Sequence, residues 1–116
     1  MNTTTIELKI KAEDKEQFLN YCVRNKGPHF IDLENSGEYF CHEKWANKYY
    51  DKHFDNEVFV MTVIPVIYEL RAINFIADAS VDCNIPIKVM VFYQDPGSGE
   101  ASGGALSFPE DYNLNK

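Results

Sequence analysis

Residues 4–12, "TTIELKIKA", alternate Ile6, Leu8 and Ile10 with Glu7, Lys9 and Lys11, the period of a strand with one buried face. The following "EDKEQFLNYCVRNKG" opens with acids suited to a helix N-terminus and spaces Phe18, Leu19, Cys22 and Val23 at three to four residues. It stops at Gly27-Pro28, so it predicts an amphipathic helix. "HFIDLEN" reads as a short second strand closed by the turn residues Asn35, Ser36 and Gly37. Residues 38–56 are rich in aromatics but lack a clean period; a helix over 43–53 and an ordered aromatic loop both stay open.

"EVFVMTVI" is a β-branched run of strand length, and Pro65 after it suits the first turn of a second helix. That helix, "PVIYELRAINFIADAS", places Val66, Leu70, Ile73 and Ala77 on one face and Tyr68, Ala72, Phe75 and Ala79 on another. Arg71, Asn74 and Asp78 form a narrow polar stripe, so the helix needs cover on more than one side. "IPIKVMVFY" then reads as a buried strand, and "GGALSF" returns as a fifth before a polar tail. Strand, helix, strand, then strand, helix, strand is a ferredoxin-like split βαβ. The expectation is an α+β fold: an antiparallel sheet, two main helices on one face and a C-terminal β-hairpin.

Length and composition narrow the class. A chain of 116 residues that is 45% hydrophobic and 14% aromatic supports one packed domain, 1–116, with short polar tails at about 1–4 and 109–116. No apolar run approaches the roughly 20 residues of a membrane span, and the start lacks a signal-peptide pattern, so the expected location is cytoplasmic. The three cysteines, Cys22, Cys41 and Cys83, read as small core residues in a reducing compartment. Charge is uneven: residues 1–52 hold nine acids and eight bases (net -1), and residues 53–116 hold nine acids and three bases (net -6). Such a chain disfavours a phosphate backbone as partner.

Candidate chemistry is sparse. The loop "FYQDPGSGEASGGAL" lacks the GxGxxG or GxxxxGK spacing, a following long helix and a lysine, and it carries Glu100. It reads as a wide hairpin with a Pro96-Gly97 turn and a bulge or positive φ at Gly103-Gly104. Cys41 and His42 are adjacent, which points their side chains apart in strand or helix and argues against a nucleophile–base pair. A zinc set of Cys41, His42 and His53 with His29 or Cys83 lacks any closely spaced ligand pair. The carboxylate pairs Glu13/Asp14 and Glu110/Asp111 fit a helix start and a tail. Tyr39, Phe40, Trp45, Tyr49, Tyr50 and Phe54, beside Lys44, Lys48 and Lys52, suggest base stacking, but Glu43, Asp51 and Asp55 dilute that lysine row. No catalytic residue, cofactor or metal is expected.

"WANKYYD", "MTVIPVIYEL" and "FYQDPGSGEASGGAL" together resemble the YubB-type ferredoxin-like domain of phage and plasmid proteins. Trp45, Lys48 and Asp51 match its first motif, Thr62 and Pro65 echo its second, and Tyr93, Asp95, Pro96, Gly97 and Gly103 match its hairpin. The second motif's tryptophan is missing, and Glu100 replaces the hairpin's aromatic. The match spans residues 45–106; it implies a mobile-element origin and no known catalytic residue.

The expected function is therefore a small acidic, non-enzymatic protein-binding module. It would inhibit a host defence system, as anti-CRISPR or anti-restriction proteins do, by occupying a basic surface of a host protein such as a nuclease or effector-complex subunit. The alternative is a self-associating accessory domain, a homodimer; a nucleic-acid binder comes third. The expected partner contacts are Tyr68 and Phe75, at an interface or beneath the aromatic segment, the acids Asp78, Asp82, Asp95 and Glu100 with Glu57, and the aromatics Trp45, Tyr49 and Tyr50.

Overall fold

A computed structural model of the chain describes residues 3–32, 56–94 and 101–112. The elements are β1 (Thr3–Lys11), α1 (Lys15–Arg24), β2 (Ile31–Asp32), β3 (Glu57–Pro65), α2 (Glu69–Cys83), β4 (Ile87–Gln94) and β5 (Ala101–Phe108). Short 3₁₀ turns, Ala12–Asp14 and Val66–Tyr68, lead into the two helices. The strands form one sheet in the order β2-β3-β1-β4-β5, every adjacent pair antiparallel. This is the split βαβ, ferredoxin-like arrangement with a fifth strand added beside β4 as a hairpin arm. The expected helix over residues 43–53 lies outside the described residues.

The alternation of β1 sends Ile6, Leu8 and Ile10 to the helix side. There they meet Val58 and Val60 of β3, Ile87, Val89 and Val91 of β4, and Phe108 of β5 in one core with Phe18 and Cys22 of α1 and Ala72, Ile73, Ile76, Ala77 and Ala79 of α2. Phe18 packs edge-on against Phe30, ring centroids 5.3 Å apart.

Both helices end in left-handed caps. Asn84 (φ 56°) closes α2, with its N–H on Ser80 and Val81 and the Ile85 N–H reaching the Ser80 carbonyl at 3.0 Å. Lys26 (φ 55°) closes α1 in the same way, and the Gly27 N–H donates to the Cys22 carbonyl at 2.8 Å. Gly27 is therefore not the left-handed residue. Its role is steric, because a Cβ there would overlap the Phe75 ring.

Four expectations are corrected. The polar positions of β1 do not face solvent: Glu7 and Lys9 are fully buried on the side of the sheet away from the helices. Leu70, expected on the core face of α2, is 70% exposed, although Ile73 and Ala77 on the same side of the helix are buried. Gly104 sits in unbroken register opposite Val91, without a bulge or positive φ, and a Cβ there would meet nothing within 4 Å. The expected polar tails are partly built in: Thr4 is buried and its Oγ1 donates to the Phe92 carbonyl at 3.2 Å, while Tyr112 packs against the core.

Candidate functional site

The side of the sheet opposite the helices carries a charged row inside an apolar frame. Met61, Met90 and Phe92 are buried there, with Phe59 packed against the last two. The register sets Glu7 between Met61 and Met90, and Lys9 between Phe59 and Lys88. Lys9 Nζ lies 3.1 Å from Glu57 Oε2, and Lys88 Nζ donates to Ser107 Oγ at 2.9 Å. Two buried lysines thus stand opposite each other across β1 and β4, with buried Glu7 two residues from Lys9 along β1 and Glu57 at the rim. Enclosing charge in this way is costly unless each group is compensated, and it specifies one strand register over others. Glu57 was expected as an exposed acid; it is instead bound into this row, its side chain 21% exposed.

The acids Asp78 and Asp82 lie one turn apart near the end of α2, and each accepts a phenol. Tyr21 Oη donates to Asp82 Oδ2 at 2.7 Å, and Tyr112 Oη to Asp78 Oδ1 at 3.0 Å. Burial, reinforced by the Asp82 hydrogen bond and the charges of Asp82 and Asp78, pushes the Tyr21 hydroxyl up to about 12. The pair ties α1 and the C-terminal turn to α2 while keeping Asp82 at the surface.

Phe75 is occupied within the chain: its ring is 5.4 Å from that of Tyr21, over the Gly27 backbone. Tyr68 is 46% exposed, with the Arg71 guanidinium 5.9 Å from its ring centre. The other expected contacts, Asp95, Glu100, Trp45, Tyr49 and Tyr50, lie outside the described residues, as do Cys41, His42 and His53.

What the periodicity reading missed is the corner where β3 turns into α2. Ile67 is 79% exposed and Leu70 70%, with Tyr68 between them in sequence. Ile67 and Leu70 are three residues apart, the spacing that places both on one side of the entering helix. The spacing carried no signal for it, because Leu70 shares its side of the helix with Ile73 and Ala77, which are buried.

Neither described thiol is activated. Burial pushes Cys22 up to about 12, with Cys83 adding in the same direction, and burial also raises Cys83. Among the described residues no three His, Cys, Asp or Glu side chains come together to hold a metal. The outer face of α1 has an open depression lined by Glu13, Glu16, Gln17, Asn20, Val23 and Arg24, a solvated charged surface. No helix among the described residues is long and apolar enough to cross a membrane.

Comparison with models of known families, with curated proteins and with solved structures finds no match.

Proposed function

We propose that this chain is a non-enzymatic protein-binding module that presents the β3–α2 corner to its partner. The observation that carries the reading is the exposure of Ile67 and Leu70, three residues apart at the helix entry, with half-exposed Tyr68 between them in sequence. Large aliphatic side chains clustered on a rigid corner are characteristic of a contact surface, since water is a poor neighbour for them and a partner's apolar surface a good one. The net charge of -6 over residues 53–116 favours a partner with a basic surface, which in the setting of a host-defence inhibitor is a nuclease or effector subunit. The resemblance to the YubB-type domain supports a mobile-element origin within the same proposal.

The test is affinity capture from host cells with the wild-type chain and with an Ile67→Ser, Leu70→Ser variant. The reading expects one stoichiometric partner with the first and its loss with the second, at matched folding. Self-association alone, abolished by the same variant, would instead assign the corner to a homodimer.

A further inference from the structure

Among the described residues no strand pairs with the outer edge of β5, and the hydrogen-bond directions show which of its groups face outward. The Ala12 N–H donates to the Asn56 carbonyl at 2.6 Å, continuing the β1–β3 ladder. In an antiparallel sheet the direction of the backbone groups alternates along each strand, so the even residues of β1 bond β3 and the odd ones bond β4. Carried through the unbroken registers, this turns the even residues of β5 toward β4 and the odd ones, Ala101, Gly103, Ala105 and Ser107, outward. An independent contact agrees: the Ser107 N–H donates to Asp111 Oδ2 and its carbonyl accepts from the Asp111 N–H, both at 2.7 Å. Ser107 is thus capped by the chain's own turn. Among the described residues nothing caps Ala101, Gly103 or Ala105.

Native edge strands are guarded by lysine, proline, bulges or brevity. The stretch "ASGGA" has no such guard: it is small, uncharged and in regular register, and both Gly104 and Ala105 are exposed. At the opposite edge, β2 has two paired residues among the described residues.

We infer that the outer edge of β5 from Ala101 to Ala105 accepts an extended segment of a partner protein by strand addition, the segment carrying basic residues at its ends. The edge offers six backbone hydrogen-bonding groups at three positions. The occupant follows from charge. Exposed Glu110 and the Asp111 cap adjoin one end of the edge within a half-chain of net -6. A second copy, also net -7, would bring like fields together, whereas a lysine- or arginine-ended strand is attracted. This inference rests on the reading of the chain as a protein-binding module and adds a second contact to the α2 corner.

The test is amide exchange by NMR on the full chain with a capped heptapeptide of alternating valine and threonine between two lysines. Gly103 and Ala105 should exchange several-fold more slowly on peptide addition, while Gly104 and Leu106, already bonded to β4, should not change. Ala105→Pro should abolish the effect, since it removes an outward N–H and leaves every bond to β4. Ala105→Lys, which keeps the backbone intact, should weaken it by like charge. Protection without the odd–even alternation, protection that survives both variants, no protection at all, or equal binding of a glutamate-ended peptide would each overturn the inference. So would self-association that Ala105→Pro abolishes, because the occupant would then be a second copy. If the cellular partner is captured through Ile67 and Leu70 but the peptide never pairs, the edge inference alone fails; if no partner is captured, the module reading fails.

Discussion

Lys9 and Lys88 stand directly opposite each other across the β1–β4 pair, on a side of the sheet where both are buried. Like charges in that position repel, and a lysine out of water needs a counter-charge. Lys9 takes it from Glu57, whose carboxylate keeps partial access to solvent. The pair is therefore unequal. Glu57→Gln strands a buried ammonium and should cost about 3 kcal/mol, whereas the double change Glu57→Gln, Lys9→Met removes that ammonium as well and should return part of the loss. Urea denaturation of the two variants checks the order; a larger loss for the double variant would contradict this account of the row.

Gly27 should tolerate no side chain while Phe75 keeps its place. Gly27→Ala drives a methyl into the tip of the Phe75 ring, which also packs against Tyr21, and overpacking of this kind costs roughly 1–3 kcal/mol. Adding Phe75→Leu should return part of the loss. A double-mutant cycle by thermal or urea unfolding measures the coupling, and strict additivity would show that the two positions do not meet.

Gly104 should behave in the opposite way. It lies in a regular strand with open space where a Cβ would stand, so Gly104→Val gains strand preference without a clash. The expected change is a stabilisation of about 0.5–1 kcal/mol, read as a higher urea midpoint. A loss of stability would revive the strained-glycine reading of this hairpin arm.

Folding stability should fall in alkali. Burial holds the Cys22 thiol and the Tyr21 phenol protonated up to about 12 in the folded chain, above their ordinary values. Below the unfolded values of about 9 and 10 both states keep their protons and the contribution is intact. As pH rises from there through about 12 the unfolded chain releases its protons first, and stability drops. Melting temperatures between pH 8 and 11 should decline, and less steeply for Tyr21→Phe. A flat profile, or rapid modification of Cys22 by a thiol reagent at pH 8, would contradict the buried, protonated state.

The order of elements and the helix-side core were legible because Ile6, Leu8 and Ile10 alternate and because Pro65, Asn84 and Gly27 punctuate the chain. The second face was harder to read. Glu7 and Lys9 look like solvent positions when β1 is taken alone, yet "VFVMTV" and "IKVMVF" on the flanking strands lack clean alternation, which marks strands covered on both sides. A strand paired between two such neighbours shares their enclosure, so the clue lay in pairing, which a single segment does not display. The reason for Gly27 was hidden in a related way: the helix does stop there, but the constraint comes from Phe75, nearly fifty residues away, and the left-handed cap is made by Lys26. The exposed corner at Ile67 and Leu70 was not legible, because periodicity puts Leu70 on the side of Ile73 and Ala77 and does not show that the helix entry is uncovered.

The most direct test of the binding-module account is the affinity of the captured partner for the wild-type chain and for the Ile67→Ser, Leu70→Ser variant, by calorimetry at equal folding. The account predicts that the variant binds at least about a hundred-fold more weakly, on the order of tenfold for each buried aliphatic contact. Equal affinity in the two proteins would contradict it, because the exposed corner would then take no part in recognition.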